Sequence, residues 1–113
     1  MISNENTPLI DLLEKIETNS VRIEFLVNNK NQLIGSVSQG DIVRALLNNS
    51  SLKIPSKDIA HLNPIKVIAV ENKSNIDEVA KIIIKKHIQA VPIVDKQNKI
   101  IEIITLWDVI KKK

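Results

Sequence analysis

The 113-residue sequence predicts a mixed α/β (α+β) fold made of two quasi-symmetric copies of one unit, each a small sheet with two helices, packed as one module. Three observations predict it. The chain matches itself at a fixed offset of 67 residues, which is the signature of a duplicated structural unit. Within each copy the apolar spacing switches between the helical and the strand period. Hydrophobic residues make up 43% of the chain while Phe25 and Trp107 are its only aromatics, so the core is aliphatic and rich in isoleucine, a residue suited to half-buried strands.

The offset pairs Leu9, Leu12, Leu13 and Ile16 with Ile76, Val79, Ala80 and Ile83, the apolar faces of two helices. Continuing without a gap, Leu26-Val27 falls on Ile93-Val94, Asn31 on Asn98, Leu33-Ile34 on Ile100-Ile101, Ser38 on Thr105, and Asp41-Ile42-Val43 on Asp108-Val109-Ile110. In the first copy, Thr7-Pro8 reads as an N-cap followed by proline at the first helical position, and a helix is expected after Thr7. Arg22–Val27 has strand character, Asn28–Asn31 has turn chemistry, and Leu33–Ser38 forms the second arm of a hairpin. Asp41–Leu47 resumes helical spacing, and Asn48-Asn49-Ser50-Ser51 ends it. The second copy repeats this order with a helix over Ser74–Lys86, strands over Ala90–Asp95 and Ile100–Thr105, and a helix over Leu106–Lys111. It is expected to gain a strand at its front, Ile65–Val70, set by the Asn63-Pro64 turn. The resulting division is a first repeat over 1–51, a connector over 52–62 with one short helix, and a second repeat over 63–113. Such a unit cannot cover both faces of its sheet alone, so the copies are expected to pack together and form up to two related clefts where strands end and helices begin.

Composition excludes several function classes. With no cysteine there is no disulfide, iron–sulfur cluster, thiolate zinc site or cysteine nucleophile, which fits a reducing cytoplasm. Apolar runs such as Ile82-Ile83-Ile84 are far short of a membrane span, and the polar N-terminus has no signal-peptide character, so a soluble, cytoplasmic protein without membrane contact is expected. The net charge of +3 is matched by the terminal Lys111-Lys112-Lys113 alone, and two aromatics do not furnish a stacking surface, so no nucleic-acid partner is expected. His61 and His87 lack ligand-spaced partners, which argues against a metal. No nucleophile–base pair or metal constellation can be assembled, so no enzyme activity is expected.

The remaining candidate chemistry is a hydroxyl three positions before a carboxylate, at both strand-to-helix junctions: Ser38-Gln39-Gly40-Asp41 and Thr105-Leu106-Trp107-Asp108. The hydroxyl with free helix amides can bind phosphate, and the carboxylate can accept from both hydroxyls of a ribose. The alternative is that each is only a capping box satisfying backbone amides. Spacing alone favours that alternative, and Ser74-Asn75-Ile76-Asp77 is a third instance for which capping is the only role expected.

Gln32–Leu47 resembles the signature end of a cystathionine-β-synthase-type (CBS) repeat. Ile88–Asp95 followed by Thr105–Ile110 resembles the complementary signature, and Asn63-Pro64-Ile65-Lys66-Val67 resembles the opening of a repeat. The resemblance covers nearly the whole chain and implies a Bateman module: a regulatory pair binding AMP, ATP or another adenosyl compound as ligand, with no cofactor required. It implies that Asp41 and Asp108 hold ribose, that Ser38 and Thr105 contact phosphate, and that Ile23-Glu24-Phe25 and Ala90-Val91-Pro92 offer backbone groups and apolar walls to adenine. The chain departs from the family pattern at Phe25 (proline expected), Glu102 (glycine expected) and Lys66 (often a hydroxyl residue). Glu24 is expected to repel phosphate or narrow the first pocket, which makes the Asp108 cleft the preferred one. The resemblance further implies a homodimer through the helices near Ile42–Leu47 and Val109-Ile110. The run Gln39–Leu47 is also similar to CBS pairs that precede sugar-phosphate nucleotidyltransferase domains, in which case a C-terminal catalytic domain would follow Lys113. The rival to a ligand-binding module is a structural or dimerising CBS pair with empty clefts.

Overall fold

The computed structural model describes residues 1–70 and 74–112, so part of the expected second repeat, including the last terminal lysine, lies outside the described residues. The elements in order are β1 (Ile2–Asn4), α1 (Leu9–Thr18), β2 (Ile23–Val27), β3 (Leu33–Ser38), α2 (Gln39–Leu47), a 3-10 turn (Ser56–Asp58), β4 (His61–Leu62), β5 (Val67–Ile68), α3 (Ile76–Lys86), β6 (Ala90–Val94), β7 (Ile100–Thr105) and α4 (Leu106–Lys112). They form two compact units, Met1–Pro64 and Ile65–Lys113.

In the first unit the sheet order is β1-β2-β3-β4, with β1 parallel to β2 and the other pairs antiparallel. Leu9, Leu12 and Ile16 recur on one face of α1 and pack with Leu26, Val37, Ile42 and Ala45. Each large aliphatic side chain so buried contributes up to about 1.5–3 kcal/mol. The chain leaving α2 then turns back over the start of α1. The backbone amides of Leu9 and Ile10 donate to the carbonyls of Ile54 and Leu52, both at 2.9 Å, and Ser56 donates from its amide (2.9 Å) and its hydroxyl (2.6 Å) to the Thr7 carbonyl. Helix α1 accordingly starts at Leu9 after Pro8, and no side chain caps it, contrary to the expected Thr7 cap. The orphan amides of the first turn are satisfied by the returning backbone, so they need no hydroxyl. Leu52, Ile54, Ile59 and Ala60 pack on the core from this segment, and β4 then pairs with the edge of β3 at Gly35 and Ser36.

The second unit has the order β5-β6-β7, again a parallel pair followed by an antiparallel hairpin. Val67, Val79, Ile83, Val91, Ile93 and Ile104 form its core. The expected front strand over Ile65–Val70 is only Val67–Ile68, extended by a bond from the Ala69 amide to the Val94 carbonyl at 2.9 Å. Nor is it a gain of the second copy: β1 pairs with β2 as β5 does with β6, so the first copy has its own front strand inside the polar opening of the sequence. Three residues of which only Ile2 is apolar carry no alternation long enough to mark a strand.

The two hairpins share one turn geometry. Asn31 and Asn98 sit in the left-handed region at φ 61° and 66°, and each register shifts by one residue, at Leu26/Val27 and at Ile93/Val94. The side chains of Asn28 and Asp95 each accept two backbone amides within the turn, at 2.8–3.0 Å. Asparagine tolerates this conformation better than other residues with a Cβ.

At the β3 edge, a Cβ on Gly35 would stand 3.0 Å from the His61 carbonyl oxygen and 3.2 Å from the Ala60 Cβ. Gly35→Ala is therefore expected to displace β4 and lower stability by about 1–3 kcal/mol. Urea denaturation followed by far-UV circular dichroism measures the loss.

Candidate functional site

Both strand-to-helix junctions are built the same way. The last pair of each hairpin register places Ile23 opposite Ser38 and Ala90 opposite Thr105. The next residue donates its amide back to the neighbouring strand's approach, Gln39 to the Arg22 carbonyl at 3.1 Å and Leu106 to the Gln89 carbonyl at 2.8 Å. This anchors the helix start against the hairpin and leaves the hydroxyl and carboxylate side by side.

The Asp41 amide donates to Ser38 Oγ at 3.2 Å and the Ser38 amide to Asp41 Oδ2 at 2.8 Å, a reciprocal capping box. The Thr105–Asp108 pair has the same two bonds, at 3.2 and 2.8 Å, and Thr105 Oγ1 also donates to Asp108 Oδ2 at 3.0 Å. Capping is thus a role both junctions have. The expected third box is different: Asn75 precedes α3 without a capping side chain, Ser74 Oγ accepts only a long 3.4 Å bond from the Ile76 amide, and Asp77 pairs with Lys112 instead.

The two carboxylates differ in what remains free. Asp41 Oδ1 accepts from the Arg44 guanidinium one turn along α2, which closes the first carboxylate. Among the described residues nothing bonds Asp108 Oδ1, and Lys111, at the position of Arg44, makes no bond to it. Arg44 is therefore a site residue whose role the sequence hides, because its spacing to Asp41 is equally that of an ordinary exposed helical pair.

Ala90, Val91 and Pro92 occupy the buried start of β6. They lie ahead of the start of the parallel β5, whose pairing covers only Ile93 and Val94, so one backbone edge of this stretch has no strand paired against it. The Val91 side chain belongs to the core, leaving its backbone as the group it can offer. In the first unit Glu24 holds the position of Val91 and is 1% exposed. Its carboxylate accepts from Ser3 Oγ at 2.7 Å and Asn19 Nδ2 at 3.3 Å, with the Met1 amino group 3.4 Å away. Glu24 pairs with Val37 on the helix-facing side, so its charge is spent on these partners. Phe25, at the position of Pro92, is also buried.

Lys66 Nζ donates to Asn98 Oδ1 at 2.6 Å, tying it to the second hairpin turn. His61 lies on exposed β4, and His87 ends α3 in a left-handed conformation. Among the described residues no group of three His, Asp or Glu could hold a metal. Among the described residues no helix is long and apolar enough to cross a membrane. A cavity of about 600 Å³ opens in the second unit, where Asp108 meets Glu102, Ile104, Ser74, Ile76 and Lys112. It does not include Thr105 or Ala90–Pro92.

The CBS domain family model matches residues 4–48 and 54–113. An uncharacterised Methanopyrus kandleri protein, MK0525, is 28% identical over 90% of this chain and 52% of its own length. This chain spans about half or a third of the first relatives it matches. Among solved structures, the CBS domain protein PAE2072 of Pyrobaculum aerophilum complexed with AMP superposes at TM-score 0.76 and 21% identity, covering 96% of this chain and 81% of that one. The CBS domain pair of protein MJ0100, in complex with 5-methylthioadenosine and S-adenosyl-L-methionine, gives TM-score 0.77 and 22% identity over 99% and 86% of the two chains. The two matches together cover nearly the whole sequence, and the chain belongs to the CBS domain family as a tandem pair of CBS domains.

Proposed function

We propose that this pair senses an adenine nucleotide or another adenosyl compound, and that the Thr105–Asp108 junction is its stronger site. The observation that carries the reading is the unshared Oδ1 of Asp108, set beside a threonine hydroxyl and the uncovered backbone edge of Ala90–Pro92. In this reading the Asp108 carboxylate accepts from the ribose hydroxyls, Thr105 faces the phosphate or its replacement, and Ala90, the Val91 backbone and Pro92 bound the adenine. Ser38 and Asp41 form the weaker counterpart, since Arg44 already occupies the free oxygen of Asp41. The AMP, 5-methylthioadenosine and S-adenosyl-L-methionine complexes of the structural neighbours support the ligand class. Regulation follows if the ligand binds one arrangement of the module more tightly than another.

The closed Asp41 favours a second reading, a structural pair without ligand, for the first junction. In either case the repeats are 1–51 and 63–113, the location is cytoplasmic, and the regulated partner is a catalytic polypeptide of the sugar-phosphate nucleotidyltransferase kind suggested by Gln39–Leu47. A homodimer is supported by Val43, Leu46 and Leu47, exposed on α2, and by Trp107 and Ile110 on α4. Ile42 is core and takes no part.

A ligand that binds only the folded state raises its melting temperature. Thermal shift with AMP, ATP, S-adenosylmethionine and 5-methylthioadenosine at millimolar concentration is expected to show a rise for at least one, and no rise for any would transfer both junctions to the structural reading. A charge-assisted hydrogen bond contributes about 1.5–3 kcal/mol, so Asp108→Ala should weaken the tighter event about 10- to 150-fold, with Asp41→Ala having a smaller effect. Calorimetry on both variants, run well below their melting temperatures because each also loses a cap, reverses the assignment if only Asp41→Ala abolishes binding. Light scattering at high micromolar concentration is expected to give twice the 12.7 kDa chain mass.

A further inference from the structure

We infer that the cavity between the start of α3, β7 and α4 is a docking groove for an extended aliphatic segment of the polypeptide that this module regulates. The internal repeat shows what such a groove holds. In the first unit the equivalent surface is filled by the chain's own residues 52–62: Leu52 and Ile54 pack, partly buried, against the core, their carbonyls take the Ile10 and Leu9 amides, and β4 runs along the β3 edge. Every wall of that site has a counterpart at the 67-residue offset. Leu9 becomes Ile76, Thr7 becomes Ser74, Val37 becomes Ile104 and Ala45 becomes Lys112. Ser74, Ile76, Ile104 and Lys112 are among the residues around the second unit's cavity of about 600 Å³, which no described segment fills.

The difference between the copies defines the occupant. Ile34 is half-buried against the first core, whereas its counterpart Ile101 is 58% exposed. Gly35, where β4 closes in, is replaced by Glu102. Because a Cβ at Gly35 would already press on the His61 carbonyl oxygen, Glu102 holds off a strand seated as β4 is. What it offers instead is a carboxylate near that of Asp108, while Lys112 is engaged with Asp77 at 3.1 Å. The matching segment carries two aliphatic residues at alternate positions, as Leu52 and Ile54 do, and a basic residue where the first unit has Ala60-His61.

The chain itself supplies the probe, a synthetic peptide with the sequence of residues 50–62, titrated without nucleotide into the isotope-labelled protein and followed by amide NMR shifts. Shifts are expected at Ile76, Asp77, Glu102 and Ile104, with Leu9 and Ile10 unmoved. The peptide carrying His61→Lys should bind about two- to five-fold more tightly, the range of an exposed ion pair, and Glu102→Gln in the protein should erase that gain. A peptide with Leu52→Asp and Ile54→Asp should produce no shifts. Three results overturn the proposal: no shifts with either binding peptide at millimolar concentration, shifts at Leu9 and Ile10 instead, or the same shifts on concentrating the protein without peptide, which would give the groove to a second copy. Because nucleotide is absent throughout, none of these results bears on the ligand reading.

Discussion

The junction of each hairpin with the helix that follows it depends on one constraint, the left-handed asparagine at the hairpin turn. Asn31 and Asn98 fix the turn and the one-residue register shift that comes with it. A single further slip would reverse which side chains face the helices. With the register set, Ser38 and Thr105 end their strands opposite Ile23 and Ala90, and each hydroxyl meets the carboxylate three residues on. The capping box and the candidate ligand site are therefore built from the same two side chains. Only oxygens left over from capping are available to a ligand.

On this common frame the copies have diverged at the positions that decide chemistry. Arg44 against Lys111 determines whether the helix-start carboxylate is closed or open. Glu24 against Val91 puts a charge at a core position of the first unit, where Ser3 and Asn19 bond it. A buried carboxylate with such partners is tolerable, but losing one partner leaves it uncompensated, so this position binds the β1 strand to the fate of β2. Gly35 against Glu102 separates an edge that accepts another backbone from one that holds it off.

The architecture was legible because duplication doubles weak signals. Neither hairpin turn is decisive alone, but Asn31 over Asn98 and Ser38 over Thr105 at one offset make the unit visible, while the other paired positions around them are mostly ordinary apolar ones. The front strand of the first copy was not legible, since β1 is three residues paired in parallel to a distant partner and carries no local pattern. The α1 start was misplaced for a related reason: its amides are satisfied by Leu52 and Ile54, some forty residues away in sequence. Ser74 shows the converse, a sequence with the letters of a capping box whose carboxylate, Asp77, is drawn off by Lys112. For the candidate site, the hydroxyl–carboxylate pairs were readable from spacing and an inequality was expected from Glu24, but the part of Arg44 was not readable, because it rests on which oxygen of Asp41 the guanidinium takes.

That inequality also bears on how such a module could signal. Two sites of equal strength would fill together and report only total ligand, whereas under the proposed reading a closed Asp41 and an open Asp108 would let one site respond while the other remains a structural cap. Asp108 in turn borders the groove beside Glu102, so a bound ligand would change the charge that a docked segment meets there. If ligand and segment bind the same unit, any effect of one on the affinity of the other is reciprocal. An anionic ligand tail near Glu102 and Asp108 would strengthen the attraction for a basic residue in the groove, and a cationic tail would weaken it, by the sign of the Coulomb interaction alone. The chemical difference between a phosphate and a sulfonium at the same adenosine could then be read as opposite responses by the partner.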